Sequence, residues 1–230
     1  MSDPASHERL VEELARSLAP VRPLPGPGWR AVAWFSAVLA LAILLLPLSD
    51  AASLQLRLGV PDLRYAALGA ILTSMAAAFA AFQSSVPGRS RAWALLPIPP
   101  LVVWLGVSGL GCLRAWLAPA SNLAETGEMR GCFVFLMGVS LPLSILLVTM
   151  LRRACPLNPS LTAALGGLAV AAAAAALLVP FHPHDATATD LAVHLVAVFI
   201  VVGLNGLLGG RIIEGAPRRR PAATASQADP

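Results

Sequence analysis

Six stretches of this chain contain no Asp, Glu, Lys or Arg: residues 31–49, 65–88, 92–113, 131–151, 154–184 and 191–210. The shortest has 19 residues and the longest 31. A helix needs about 20 apolar residues to cross the hydrocarbon core of a bilayer. Across the 230 residues 57% are hydrophobic and 12% charged, against about 25% charged in ordinary soluble domains. Such a chain lacks the polar surface to cover a soluble core, so a soluble single domain is excluded. A closed β-barrel would alternate apolar and polar residues instead of running solidly apolar. The expectation is an all-α polytopic membrane protein with the lipid bilayer as its solvent. It is read as a six-transmembrane-helix bundle preceded by a short N-terminal cytoplasmic amphipathic helix. The spans fall near 31–48, 65–86, 92–113, 131–151, 161–180 and 191–210.

An even number of spans puts both termini on one side, and the arginines say which. The side holding the termini carries twelve arginines, among them Arg89, Arg91, Arg152 and Arg153, while Arg57, Arg64, Arg114 and Arg130 make four on the other. The positive-inside rule then places both termini in the cytoplasm. The polar opening runs through Arg30, too long for the n-region of a signal peptide. Trp29, Trp34, Trp93, Trp104 and Trp116 lie mostly near span ends, where indoles favour the interface. Pro97, Pro99 and Pro100 should kink span three. Gly206 and Gly210 permit close helix contact in span six, and Asn205 beside them reads as an interhelical hydrogen-bonding residue. There is no Lys, and alanine is abundant, which reads as base-composition bias in the genome.

Three regions follow: residues 1–28 as a cytoplasmic helix and stem, 29–213 as the transmembrane domain, and 214–230 as a disordered Pro-, Ala- and Arg-rich tail. In the first, Leu10, Val11, Leu14, Ala15 and Leu18 share one face at helical spacing, with Glu8, Glu12, Glu13 and Arg16 opposite. The proline-rich run Ala19–Gly28 then acts as a stiff extended spacer. So short a helix is marginal in water and needs cover for its apolar face. Three Glu against two Arg disfavour a membrane surface, leaving a groove on another protein or self-docking. Burying Leu10, Val11, Leu14 and Leu18 is worth roughly 6–12 kcal/mol gross.

Catalysis has one foothold. Gly106-Val-Ser-Gly109 matches the GxSG of intramembrane serine proteases, and His194 opens span six. A four-residue match of small residues in a helix rich in them is cheap, and the glycine that precedes the protease histidine at helical spacing is missing. Ion-coupled transport has no carboxylate within the expected spans to work with. With three cysteines and no CxxC, zinc ribbons and thioredoxin-type motifs are excluded. Cys112 and Cys132 nonetheless fall near the outer surface, close in topology to His182, His184, Asp185 and His194. Two readings stay open: a disulfide or soft-metal site formed by Cys132 with Cys112 or with His182 and His184, or packing cysteines and loop histidines. Arg130 beside Cys132 would favour its thiolate and leave the thiol near water. Cys155 falls on the reducing side.

Taken in order, Leu10-Val-Glu-Glu-Leu-Ala-Arg-Ser-Leu-Ala-Pro-Val-Arg-Pro-Leu24, Arg130-Gly-Cys132, Ser140-Leu-Pro142, Leu151-Arg-Arg-Ala-Cys-Pro156, Gly166-Gly167 and a final span ending near Gly210-Arg211 resemble the six-span membrane anti-sigma factors named negative regulator of sigma F. The resemblance implies an inner-membrane regulator, with no catalytic residue and no cofactor. Such a protein holds an extracytoplasmic-function sigma factor away from RNA polymerase without touching nucleic acid itself. It implies that the N-terminal segment, including Leu10, Val11, Leu14, Leu18 and Arg22, binds the sigma factor. It also implies that two outer-side cysteines take part in release on a stress signal. Cys132 matches the first; at the second the chain reads Phe181-His-Pro-His-Asp185, leaving Cys112 or His184 as substitutes.

The arginine asymmetry predicts that alkaline phosphatase is active when fused after residue 120 and inactive when fused after residue 155. The reverse pattern overturns every inside and outside assignment above.

Overall fold

The computed structural model describes residues 4–16, 18, 23–50, 54–55, 59, 61–117, 126–154, 156–181 and 188–215. Of the side chains in these stretches, those of residues 4–6, 111–112, 114–116, 126–128 and 188–190 stand outside the description. Among the described residues every regular element is helical. The chain divides into two units, one of residues 1–24 with 217–230 and one of residues 25–216.

The first unit contributes helix α1, Pro4–Arg16. It opens on proline, whose missing N–H is harmless in a first turn, and Arg16 pairs with Glu12 one turn back at 2.7 Å. The helix ends before Leu18, which the sequence pattern had placed on its face. A turn from the Ala15 carbonyl to the Leu18 amide follows instead.

The second unit contains six helical stretches long and apolar enough to cross a membrane: Pro27–Leu48, Pro61–Ser84, Arg91–Leu110, Met129–Arg152, Pro159–Phe181 and Leu191–Glu214. Their main helices are α2 (Pro27–Leu45), α3 (Pro61–Ser84), α4 (Ile98–Leu117), α5 (Thr126–Arg152), α6 (Pro159–Leu178) and α7 (Ala188–Leu204). A π-helical stretch, Asn205–Gly209, continues α7 into the short α8, Gly210–Glu214. Several boundaries differ from expectation for one reason. Pro27, Pro61 and Pro159 each start a helix, because proline's fixed φ suits the first turn. Pro27 and Gly28 therefore belong to α2, and the non-helical stem ends at Gly26.

The third apolar stretch is broken rather than kinked. A 3₁₀ turn, Arg91–Leu95, stops at Leu96 and Pro97, and α4 restarts at Ile98 with Pro99 and Pro100 in its first turn. There the missing donors cost nothing.

Helix α6 is the axis of the bundle, packed by α3, α5, α7 and the π-helical segment. Alanine makes this possible. Ala163, Ala169 and Ala171–Ala174 are all essentially buried, so the alanine abundance has a packing role beyond base composition. Glycines bring backbones closer still. A Cβ on Gly167 would lie 2.9 Å from the Val202 Cα and 2.8 Å from the Asn205 Cβ. One on Gly210 would lie 2.7 Å from the Ser160 Oγ, and one on Gly206 would touch Ala164. The close contact expected of Gly206 and Gly210 is present. So is the role of Asn205, whose Nδ2 donates to Ser144 Oγ of α5 at 2.9 Å and to the Val201 carbonyl at 2.8 Å.

Two tryptophans depart from the interfacial reading. Trp34 is fully buried, and Trp104 packs against Gly69 of α3. Trp29 is largely exposed.

Candidate functional site: the N-terminal helix and the Arg30 junction

Helix α1 carries Leu10, Val11 and Leu14 of the residues picked out for partner binding, and Leu18 follows its end. Leu10, Val11, Leu14 and Leu18 are 54%, 65%, 58% and 78% exposed, an apolar face of the size that a soluble helix normally covers. Arg22 lies outside the described residues.

Where the stem of residues 23–26 meets α2, sequence reasoning missed the most unusual residue. In the sequence Arg30 reads only as one positive charge on the terminal side, yet it is 6% exposed. Its guanidinium donates to Ser85 Oγ at 3.2 Å and to the Met150 carbonyl, and sits 4.8 Å from the centre of the Phe82 ring. Ser85 Oγ in turn donates to the Phe82 carbonyl at 2.7 Å. No carboxylate pairs with Arg30 among the described residues.

The electrostatics explain why the site works without one. A cation in the first turn of α2 is opposed by its own helix dipole. The negative ends of two other helices compensate: α3 ends at Ser84 and α5 at Arg152. Their last carbonyls have no partners within their own helices and need donors. Arg30 thus caps α5 directly and α3 through Ser85, and the ring face of Phe82 adds cation–π attraction. A guanidinium's forked donors suit this better than an ammonium. A hint was available: Arg30 abuts an uninterrupted apolar run, where snorkelling or capping is expected of arginine.

At the other end of α5, Cys132 is buried, not near water. It is 5% exposed and packs with Leu136, Ala174, Leu178 and Ala197. Its helical face turns toward α6 and α7, whereas Arg130, two residues earlier, is exposed. Arg130 borders an open apolar groove of about 450 Å³ with Met129, Phe133 and Val193. Cys112 falls in α4 with its side chain undescribed, and His182, His184 and Cys155 lie outside the described residues, as does the tail from residue 216. Among the described residues no group of His, Cys, Asp and Glu is placed to hold a metal ion. Ser108 is half-buried within α4.

The fold and site together define a class: a bundle of six helices of membrane-spanning length and composition, and an N-terminal amphipathic helix whose apolar face includes the exposed Leu10 and Val11. The chain belongs to the family described as negative regulator of sigma F, whose sequence profile matches residues 14–214. Its members are regulators of a sigma factor, not a known class of enzyme. No curated protein and no solved structure matches the chain.

Replacing Arg30 by Met keeps the aliphatic stem but strips the Met150 carbonyl and Ser85 of their donor. Arg30→Met should lower stability by about 1–3 kcal/mol, and Arg30→Lys should recover only part of it. Thermal unfolding of the purified protein in detergent reads both; a Met variant as stable as wild type would show that the cap contributes nothing net.

Proposed function

We propose that this protein is an inner-membrane anti-sigma factor that sequesters an extracytoplasmic-function sigma factor and releases it on a stress signal from the periplasm. In this reading the six helices cross the membrane with both termini in the cytoplasm. Helix α1 and the following stem, including Arg22, form the sigma-binding element.

The observation that carries the reading is the exposure of Leu10 and Val11 on one face of α1, at helical spacing with Leu14. The family relationship supplies the kind of partner. A sigma-factor groove that buries these side chains gains the hydrophobic free energy that α1 forgoes when alone. Within the bundle, Arg30 fastens α2, the helix into which residues 23–26 lead, to the ends of α3 and α5.

Leu14→Asp puts a carboxylate in the middle of the proposed contact. It should weaken sigma binding by at least about a hundredfold and give constitutive expression of the sigma regulon, while the protein still reaches the membrane. A full-strength complex in pull-down would show that α1 is not the binding element.

Signal entry is proposed at the far end of α5, where Cys132 would pair with Cys112 or bind a soft metal with His182 and His184. Because Cys132 packs between helices, either event requires α5 to shift against α6 and α7, which gives the chemistry a mechanical output. A sigma-dependent reporter should respond to oxidant or soft metal in wild type but not in Cys132→Ser. Loss in Cys112→Ser would identify the disulfide route, and loss in His182→Ala with His184→Ala the metal route. An unaltered response in Cys132→Ser places signal entry elsewhere.

A further inference from the structure

The end of the bundle that holds Arg30 has a second feature, independent of sigma binding. A cavity of about 170 Å³ opens between the C-terminal end of α3, the turn into the 3₁₀ segment and the start of α6. Gly88, at φ +82°, makes the tight turn that sets Arg89 and Arg91 along one wall. Ser84 lines it from α3, and Asn158 and Leu161 line it from the beginning of α6.

The polar groups here are strongly biased toward donation. Arg89 and Arg91 are exposed, and among the described residues neither has an ion-pair partner. The Ser84 hydroxyl is buried without a hydrogen-bond partner. Asn158, at the N-cap position of the 20-residue α6, makes no capping bond with its side chain, so it satisfies none of that helix's first-turn amides. The helix directs its positive end to the same place. No Asp or Glu lines the cavity. Two cations, a hydroxyl and a helix N-terminus with no acid among them fit an anion.

Its surroundings say which kind. Leu157, 73% exposed, and Leu161, 43% exposed, border the cavity, so an apolar surface begins where the donors stop. A free inorganic anion makes no use of that surface, whereas an amphiphile uses both. We propose that this cavity binds the phosphate of an anionic glycerophospholipid from the adjoining leaflet, with the acyl chains lying along Leu157 and Leu161. Basic pockets between membrane helices take such headgroups. The bound phosphate bridges the ends of α3 and α6, next to Ser85, on which Arg30 depends.

The test uses the full-length protein in mild detergent, with lipid retention read by native mass spectrometry. Short-chain phosphatidylglycerol is compared with phosphatidylcholine of the same chain length and with inorganic phosphate. Phosphatidylglycerol should be retained at least about tenfold better than phosphatidylcholine. Arg89→Gln with Arg91→Gln should remove that preference while leaving the helical circular dichroism unchanged. Arg152→Gln with Arg211→Gln, which removes the same charge from exposed positions outside the cavity, should preserve it. Equal loss in both double variants would reduce the effect to general surface charge and overturn the site. Equal binding of inorganic phosphate and phosphatidylglycerol would overturn the lipid as occupant. Retention unchanged in the Arg89 and Arg91 variant would overturn both. None of these readouts involves the sigma factor, so the result stands apart from the anti-sigma reading.

Discussion

A guanidinium withdrawn from water without a carboxylate has to be stabilised by dipoles, and in this protein those dipoles are the ends of helices. Arg30 joins three helices far apart in sequence: its own α2, α3 through Ser85 and Phe82, and α5 through Met150. Each alone would be a poor site for it. The first turn of α2 repels a cation, and a single helix C-terminus offers about half an elementary charge. Together they offer Arg30 its acceptors and a ring face only where the helices meet in this register, against the repulsion of Arg153 nearby. The charge therefore reports on the assembly of that end of the bundle, and the stem of α1 is attached there.

The rest of the bundle is held by shape more than by polarity. In the proposed membrane setting, apolar side chains gain little by leaving one oily surface for another, so close packing and hydrogen bonds decide the helix order. Helix α6 supplies the packing through alanine and glycine, and Asn205 supplies the hydrogen bond. The π-helical turn at Asn205–Gly209 lies where these two devices coincide. It widens the last span just where Gly167 and Gly210 let α6 and this span touch backbone to backbone.

Much of this was legible in the residues themselves. Charge-free runs of span length located all six long apolar helices, because a charge is costly in any helix of that composition. The spacing of Gly206 and Gly210 and the isolation of Asn205 gave correct contacts, because a polar group at depth has few ways to be satisfied. Partner-dependent properties escaped. Arg30 looks like any flanking arginine until the ends of α3 and α5 are brought to it. Trp34 and Cys132 resemble interfacial and solvent-facing residues in sequence, but rotation of their helices turns them inward. The proline cluster of the third span was expected to bend a helix, and the chain instead restarts one at Ile98, where prolines are harmless. Helix α1 is the reverse case: periodicity marked its apolar face, while only the structure showed the helix ending short of Leu18.

An interior built from the smallest side chains has a lopsided relation to mutation. At the buried alanines and glycines of α6 little or nothing can be trimmed, so cavity formation, the usual hazard of core substitution, is confined to residues such as Leu165, Val170, Leu177 and Leu178. At the alanine and glycine positions nearly every change adds volume, and added volume forces neighbouring backbones apart. Relief has to come from the facing residues, where Trp104, Leu147, Val201 and Val202 still have atoms to give up. Across time the axial helix is thus expected to stay fixed while its neighbours absorb change, and suppressors of a damaged α6 should map to α3, α4, α5 and α7 rather than to α6 itself.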